Sequence, residues 1–213
     1  MTDYSDFKCK FIPKDQIWSI ADEFRQKHWP SGELPVDIEK IIESDLKMFV
    51  IPESNIHEYA KIDAYLRSDF TGIVVDEKQY MDDRDRYKSR LRFSFAHEVG
   101  HYILHQYVYS HLKFDSPKDL FNFIMNVPEG EYNNFEWQAN EFAGRLLVPR
   151  EVLITEIGKI RSLLKDHSLL EMLQTESDRV LEYVSPYLCK PFGVSEKVIE
   201  MRVQREGLWP PKI

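Results

Sequence analysis

The sequence predicts an α+β fold, and three observations support that prediction. Residues 89–105 contain no proline and carry apolar side chains at helical spacing, which indicates a central amphipathic helix. Two short apolar runs, at 48–51 and 72–75, are typical of strands, and an alternating segment at 62–66 precedes the second run. These strands predict a small mixed or antiparallel sheet, arranged as a hairpin or meander. Beyond Pro149 the composition is again that of helices.

Two amphipathic helices are predicted before the sheet. The first extends from Pro13 to Trp29, because proline is favoured in the first turn of a helix. The second extends from Pro35 to about Lys47 and leads into the first strand. After the sheet, residues 80–92 are dense in charges of both signs, which favours a solvated loop.

Further helices are predicted after the central one. Residues 116–119 place a serine at a helix cap and a proline at the first helical position, so they begin a short helix. Residues 135–147 carry a helical stripe of apolar and small side chains. Two more helices are predicted at 152–165 and 169–183, and a last one at 195–205 has a serine as its cap.

Length and composition predict one main domain with a small appendage. The chain has 213 residues, of which 43% are hydrophobic, and this is enough for a sizeable buried core. We expect residues 1–150 to form the main domain. Residues 151–213 are then a helical C-terminal extension that packs on it.

Charge and hydropathy exclude several classes of partner. The net charge of −8 argues against direct binding of nucleic acid or anionic membranes, which needs a basic patch, but is compatible with a basic protein substrate. Cys9 and Cys189 lie far apart in no metal-binding pattern, which indicates reduced thiols. No run approaches the ~20 apolar residues of a membrane span, and the amino terminus has no apolar leader. We therefore expect a cytoplasmic protein.

The pentapeptide His97-Glu98-Val99-Gly100-His101 predicts a metal site on the central helix. Residues four apart on a helix are separated by about 400° of rotation, so His97 and His101 project from one face, one turn apart. Two imidazoles in this arrangement can bind one ion. Glu98 lies about 100° further round, where it can reach a water molecule beside the metal and act as a general base.

A third ligand is needed, because a catalytic zinc site usually has three protein ligands and one position for water. Glu136 is the candidate, since it lies on the second helical stripe of small and apolar residues. Alanines at 139 and 143 on that stripe permit close approach of the two helices.

Together the two motifs resemble the ImmA/IrrE metallopeptidases, which are gluzincin-like zinc enzymes. The resemblance rests on Ala96-His-Glu-Val-Gly-His101 and on Glu136-x-x-Ala-Asn-x-Phe-Ala143, followed by Leu146-Leu-Val-Pro149. Asp69-Phe-Thr-Gly-Ile-Val-Val-Asp76 is similar to the strand that precedes the active-site helix in that family. The likeness covers roughly residues 56 to 150.

The resemblance implies a zincin-like fold and a zinc-dependent endopeptidase that makes limited cuts in a protein partner, a transcriptional repressor. It implies His97, His101 and Glu136 as ligands of Zn²⁺ or another divalent metal, and Glu98 as the catalytic acid and base. His105 and Asn140 follow His101 and Glu136 by one turn, and are candidates to support the ligands from behind.

Other metal sites fit the sequence less well. A metzincin needs a glycine and a third histidine after the motif, where this chain has Leu104 and Tyr107. His105 is an alternative third ligand, but three ligands on one straight helix converge poorly on one ion. Two histidines and one carboxylate also suit non-haem iron, although Glu98 then has no necessary role.

Alternative functions stay open at this point. The same residues are compatible with buried polar side chains that bind no metal, or with an inactive descendant that binds metal. A different class is a metal-stabilised binding module that grips a transcription regulator without cutting it. A further alternative is a metal hydrolase of small amides.

Overall fold

A three-stranded sheet and twelve α-helices make up the part of the chain that the computed structural model describes, residues 4–109, 112, 116–160 and 167–211. The long helices form the body of the fold, and the sheet lies against one of them. The helices, with α2 continued by a π-helical turn at Ile41–Asp45, are α1 Lys14–His28, α2 Ile38–Lys40, α3 Ile56–Ala60, α4 Glu77–Tyr80, α5 Asp85–Leu104, α6 Gln106–Tyr109, α7 Pro117–Asn126, α8 Glu129–Leu147, α9 Arg150–Ile160, α10 His167–Thr175, α11 Ser177–Leu188 and α12 Glu196–Arg205.

The sheet is mixed, in the order β1-β3-β2, with β1 at Phe49–Glu53, β2 at Ala64–Leu66 and β3 at Gly72–Asp76. β2 and β3 form the predicted hairpin, whereas β1 pairs parallel to β3. The central strand β3 is buried along its whole length, as expected for a strand covered on both faces. In the described residues β2 pairs only with β3, and Ala64 and Tyr65 of β2 line the cleft described below.

The helices before the sheet follow the prediction in part. α1 begins directly after Pro13 and buries three apolar residues of the predicted face. The second helix is shorter than the predicted span, because the Asp37 side chain accepts a hydrogen bond from the Lys40 backbone N–H at 3.0 Å and caps the helix there. Its last turn is π-helical and ends at Asp45.

The predicted loop at 80–92 is wrong over its second half. α5 begins at Asp85 and runs without interruption to Leu104. Its first residues are exposed, so the mixed charges that favoured a loop lie on the solvent face of a helix. An acidic residue in the first turn also stabilises the positive end of the helix dipole.

α5 and α8 are the pair of helices that position the candidate site. Ala139 and Ala143 on α8 are fully buried at their interface region, as the small residues of the stripe predicted. Gly100 on α5 lies so close to α8 that an added Cβ would stand 3.1 Å from the Ala139 carbonyl oxygen. α1 packs against α8 as well, so α8 is central to the fold.

The C-terminal helices differ from the prediction in number. α9 begins at Arg150 and is described to Ile160, and the rest of the predicted helix, 161–166, lies outside the described residues. The helix predicted at 169–183 is two helices, α10 and α11. α12 begins after the predicted cap, Ser195, whose Oγ accepts from the Val198 N–H at 3.4 Å. The division at residue 150 stays a prediction.

Among the helices of the described segments, none combines the length and apolarity needed to cross a bilayer.

Candidate metal centre

Side chains from α5 and α8 meet at one point, where three potential ligand atoms face one another. His97 Nε2 and His101 Nε2 lie 2.9 Å apart, which is the consequence of their four-residue spacing on α5. Glu136 on α8 places Oε2 3.2 Å from His97 Nε2 and Oε1 3.4 Å from His101 Nε2. These three residues are the group in the described part of the chain that could hold a metal ion.

The separations fit a tetrahedral zinc ion. Zinc binds imidazole nitrogen and carboxylate oxygen at about 2.0–2.1 Å, so two of its ligand atoms stand about 3.3 Å apart. The observed distances of 2.9, 3.2 and 3.4 Å bracket that value. Two imidazoles and one carboxylate also leave a fourth position for water, so the donor set suits a hydrolytic metal.

Asn140 fixes the orientation of His97. It lies one turn after Glu136 on α8, and its Oδ1 is 3.0 Å from His97 Nδ1. An amide oxygen can only accept, so Nδ1 carries a proton, and Nε2 is the nitrogen that faces the other two candidate ligands.

His101 is oriented by a longer chain of hydrogen bonds that starts at a backbone carbonyl. Gln138 Nε2 donates to the Lys10 carbonyl oxygen at 2.9 Å and to Asn134 Oδ1 at 3.1 Å, which leaves Gln138 Oε1 as an acceptor. His105 Nε2 lies 3.3 Å from that oxygen and therefore carries a proton.

The next link of the chain reaches the candidate ligand. Because His105 is protonated on Nε2, its Nδ1 accepts, and this atom lies 3.0 Å from His101 Nδ1. His101 therefore carries its proton on Nδ1, and its Nε2 is free to bind a cation. Both ring nitrogens of His105 are engaged in this chain, so His105 does not face the point where the three ligand atoms meet.

Glu98 lies beside the three ligand atoms and against the edge strand. Its side chain is buried, and Oε2 accepts a hydrogen bond of 2.8 Å from the Leu66 backbone N–H in β2. Burial raises the pKa of Glu98 to about 7, so at neutral pH the carboxyl can both take and give a proton.

The ligand residues differ in charge although they are in contact. Burial lowers the pKa of His101 to about 4. For His97, burial also favours the neutral ring, but the charge and hydrogen bond of Glu136 outweigh it and raise the pKa to about 9. Burial favours the protonated form of Glu136, yet the two histidines hold its pKa well below the usual range. Without metal, His97 and Glu136 therefore form an ion pair.

A cleft of about 220 Å³ opens onto the three ligand residues. One wall is the segment that leads into β2, Lys61–Tyr65, and the opposite wall comes from α7 and α8. Phe123 and Tyr132, from the segment between the two sequence motifs, contribute to that second wall. Phe123 is also fully buried and belongs to the core.

The sequence pointed to the three candidate ligands His97, His101 and Glu136, and also to Glu98, His105 and Asn140 around them. It did not point to Gln138. Gln138 is fully buried, and the acceptor that sets its orientation, the Lys10 carbonyl oxygen, comes from the N-terminal segment, more than a hundred residues away in the chain. No spacing rule connects them. Arg90 and Arg92, on the turns of α5 before the pentapeptide, contact Asp63 and the Gly193 carbonyl oxygen and not the candidate ligands.

Comparison with known families gives one match. The family model described as Peptidase_M78, IrrE N-terminal-like domain, matches residues 83–204, which is more than half of the chain. The match includes the pentapeptide and Glu136. It begins at residue 83, later than the resemblance of the motifs, and it continues into α12, beyond the end of that resemblance. No curated protein matches the chain.

Proposed function

This chain belongs to the Peptidase_M78 family, and on that premise we propose that it is a zinc-dependent endopeptidase that makes limited cuts in a protein partner. The match confirms the family that the two sequence motifs predicted. Membership in a peptidase family implies a protein substrate, and the ImmA/IrrE resemblance favours a transcriptional repressor as that substrate.

His97, His101 and Glu136 are the residues that would hold the metal. The observation that carries this proposal is the convergence of their three ligand atoms at distances that suit a tetrahedral ion. Zinc bound there would supply Lewis acidity, which lowers the pKa of a water molecule and polarises the scissile carbonyl. Another divalent metal would bind the same three residues with a different affinity.

Glu98 moves the proton in the proposed reaction. Its carboxylate takes the proton of the attacking water and passes it to the amine that leaves. The Leu66 N–H donates a hydrogen bond to Oε2 of Glu98 and holds the carboxylate in place. The other oxygen, Oε1, is the one that would exchange the proton. A pKa of about 7 matches a group that acts first as base and then as acid.

β2 offers a place for an extended peptide. It is an edge strand, and the segment that leads into it lines the cleft beside the ligands. A substrate strand added along this edge would be held by main-chain hydrogen bonds, which tolerate varied side chains. N-methylation of a substrate amide that pairs with β2 should then reduce cleavage, whereas the same change outside the pairing register should not.

The experiment combines metal content with proteolysis. The native chain, His97→Ala and Glu98→Gln are assayed for zinc by mass spectrometry and for cleavage of a repressor encoded beside the gene. We expect the native chain to bind zinc and cut, and Glu98→Gln to bind zinc with cleavage reduced about 10²- to 10⁴-fold. His97→Ala should lose both. Glu129→Gln, an exposed change on α8, is the matched control.

Two outcomes would decide for the other functions. If the native chain and Glu98→Gln leave the repressor equally intact while both bind it, the protein is a binding module. If the native chain hydrolyses a dipeptide surrogate but no protein, it is a hydrolase of small amides.

A further inference from the structure

A second cavity, of about 320 Å³, adjoins the cleft on the far side of Glu136. Phe93, Glu136 and Asn140 line both spaces, so the two are neighbours at the candidate ligand. From there the cavity follows α8 to Gly144, eight residues or about 12 Å along the helix axis. Its opposite side is α12, which contributes Arg202 and three other residues.

The far end of this cavity contains a guanidinium whose bonding is incomplete. Arg202 has a side chain only 3% exposed, and its Nε and Nη1 have no hydrogen-bond partner. Nη2 contacts Glu206, whereas Nη1 stands 3.9 Å from Glu141 Oε2. The position is close to α8, because a Cβ added to Gly144 would lie 2.9 Å from Arg202 Cδ.

The charges around Arg202 leave an excess of positive charge. Five arginines share three carboxylates in one network, within the part of the chain that the structure describes. Its members are Arg25, Arg145, Arg150, Arg202, Arg205, Asp22, Glu141 and Glu206. Burial lowers the pKa of Arg202 to about 10, which reflects a charge that its neighbours compensate only in part. A buried charge in this state is stabilised by an added anion.

Glu141 does not remove this excess, because both of its oxygens are already engaged. Oε2 accepts a hydrogen bond of 2.9 Å from Trp18 Nε1, and Oε1 contacts Arg205. Arg205 itself is partly exposed, with a side chain 36% accessible, and it lines the cavity beside Arg202. Arg205 contacts Glu141, five residues after Glu136 on α8, whereas Arg202 lies against Gly144, eight residues after it, so Arg205 is the nearer of the two to the cleft.

We propose that this cavity is a substrate subsite that binds an acidic side chain of the peptide, through Arg202 and Arg205 on α12. Apolar side chains line the approach, namely Phe93, Trp137, Val198 and Met201, and they suit the methylene stem of glutamate. The carboxylate then reaches the guanidinium groups, which bind carboxylates with matched geometry.

The distance from Glu136 to the far end of the cavity determines which substrate residue the subsite binds. About 12 Å separates Glu136 from Gly144 along α8, an extended peptide rises about 3.3 Å per residue, and the glutamate side chain spans the remainder. The acidic residue is therefore two or three positions from the cleaved bond. The net charge of the whole chain is −8, so this preference is local to the cavity.

The test measures sequence preference in a proteome-derived peptide library digested by the zinc-loaded protein. This test rests on the proposed peptidase activity. Acidic residues should be enriched two or three positions from the cut. Two peptides that differ only in glutamate or glutamine at that position are then compared. The ratio of their kcat/KM values, glutamate over glutamine, should be about tenfold lower in Arg205→Gln than in the native chain. Lys197→Gln, an exposed change on α12 away from the cavity, should keep the native ratio.

Failure of this subsite is distinguishable from failure of the peptidase. Cleavage with no acidic preference, or a preference unchanged in Arg205→Gln, overturns the subsite and leaves the peptidase intact. If nothing is cleaved, the same two peptides are titrated against the native chain by tryptophan fluorescence, because Trp137 lines the cavity. Binding of the glutamate peptide at least about tenfold tighter supports the subsite, and equal binding overturns it.

Discussion

At the scale of single residues, a backbone carbonyl determines which nitrogen of His101 can bind metal. The Lys10 carbonyl oxygen can only accept, and this sets the direction of every hydrogen bond through Gln138 and His105 to His101. All members after Lys10 are buried, so water cannot replace a missing link without cost. This series of hydrogen bonds predicts that Gln138 affects metal binding, although Gln138 is not itself a candidate ligand.

Gln138→Leu should weaken zinc binding about 10- to 100-fold, because His105 loses its acceptor and His101 is no longer held in one tautomer. Competition with a chelator measures the affinity, and the ¹⁵N shifts of the His101 ring report the tautomer in the metal-free protein. Gln79→Leu is the control, since that amide is also buried but donates to Asp63 instead. Native affinity in Gln138→Leu would show that the chain does not orient the ligand.

The pH dependence of zinc binding should follow His97. Its pKa of about 9 means that the ring is protonated at neutral pH, and a bound metal must displace that proton. His101, with a pKa of about 4, is already neutral and adds no further proton. Zinc affinity should therefore rise about tenfold per pH unit from pH 7 and level off near pH 9.

Chelator competition at several pH values measures this slope, and calorimetry in two buffers of different ionisation enthalpy counts the proton released. Glu98→Gln is included so that a proton lost from Glu98 is not counted as one from His97. An affinity that does not change over this range would contradict the assignment of the proton to His97.

The sequence could predict residues whose roles depend on short spacings, and not those whose partners are distant. His97 and His101 follow from helix geometry alone, because one turn brings them to one face, and Glu98 lies about 100° further round beside them. The roles of Gln138 and Arg202 could not be predicted, since they depend on Lys10 and on Glu141, which only the tertiary fold brings near them. The arginines of α12 had the appearance of ordinary helix-surface charges.

At the scale of elements, the close contact of α5 and α8 depends on Gly100. A Cβ there would meet the Ala139 carbonyl oxygen at 3.1 Å, the Ala139 Cα at 3.2 Å and the Phe142 ring at 3.2 Å. Two of these three atoms belong to the backbone of α8, so the helix itself must move. Since Gly100 is next to His101 and Ala139 is one turn after Phe135 and Glu136, such a movement separates the candidate ligands.

Gly100→Ala should therefore reduce the free energy of unfolding by about 1–2 kcal/mol, although alanine favours a helix by about 1 kcal/mol over glycine. Zinc affinity should fall as well. Gly158→Ala is the matched control, because that helical glycine has no neighbour within 4 Å of an added Cβ and should gain about 1 kcal/mol. Urea denaturation measures both, and a stabilised Gly100→Ala would refute the tight contact.

The elements themselves were predictable where one local signal dominated. Proline or serine near the caps predicted the starts of α1, α7 and α12, and helical periodicity predicted α5 and α8 without their first turns. Charge density misled at 85–92, because the same residues suit a solvated loop and the exposed face of a helix. The break between α10 and α11 at Glu176 carries no glycine or proline and could not be predicted.

At the scale of the whole molecule, the arginine network joins distant parts of the chain around α8. Arg145 binds Asp22 of α1 on one side and Glu206, directly after α12, on the other at 2.6 Å. Glu206 also accepts from Arg150 at the start of α9. These contacts connect the N-terminal helix and the C-terminal helices to the helix that carries Glu136, so the support of the site extends over the full length of the fold.

Arg145→Leu tests this connection. The change removes the contacts of Arg145 with Asp22 and Glu206, whereas Arg25 still pairs with Asp22, and Arg150 and Arg202 still pair with Glu206. Loss of these charged hydrogen bonds should reduce the free energy of unfolding by about 1.5–3 kcal/mol. Arg179→Leu, which removes an exposed pair with Glu176 one turn away on the surface, should change the free energy of unfolding by no more than about 0.5 kcal/mol.

Urea denaturation measures the stability of both variants, and limited proteolysis reports where the fold opens. Because Arg145 contacts Glu206, directly after α12, Arg145→Leu should also become sensitive to proteases near α12 before the rest of the chain. Equal stability of the two variants would show that the network does not hold the C-terminal helices in place.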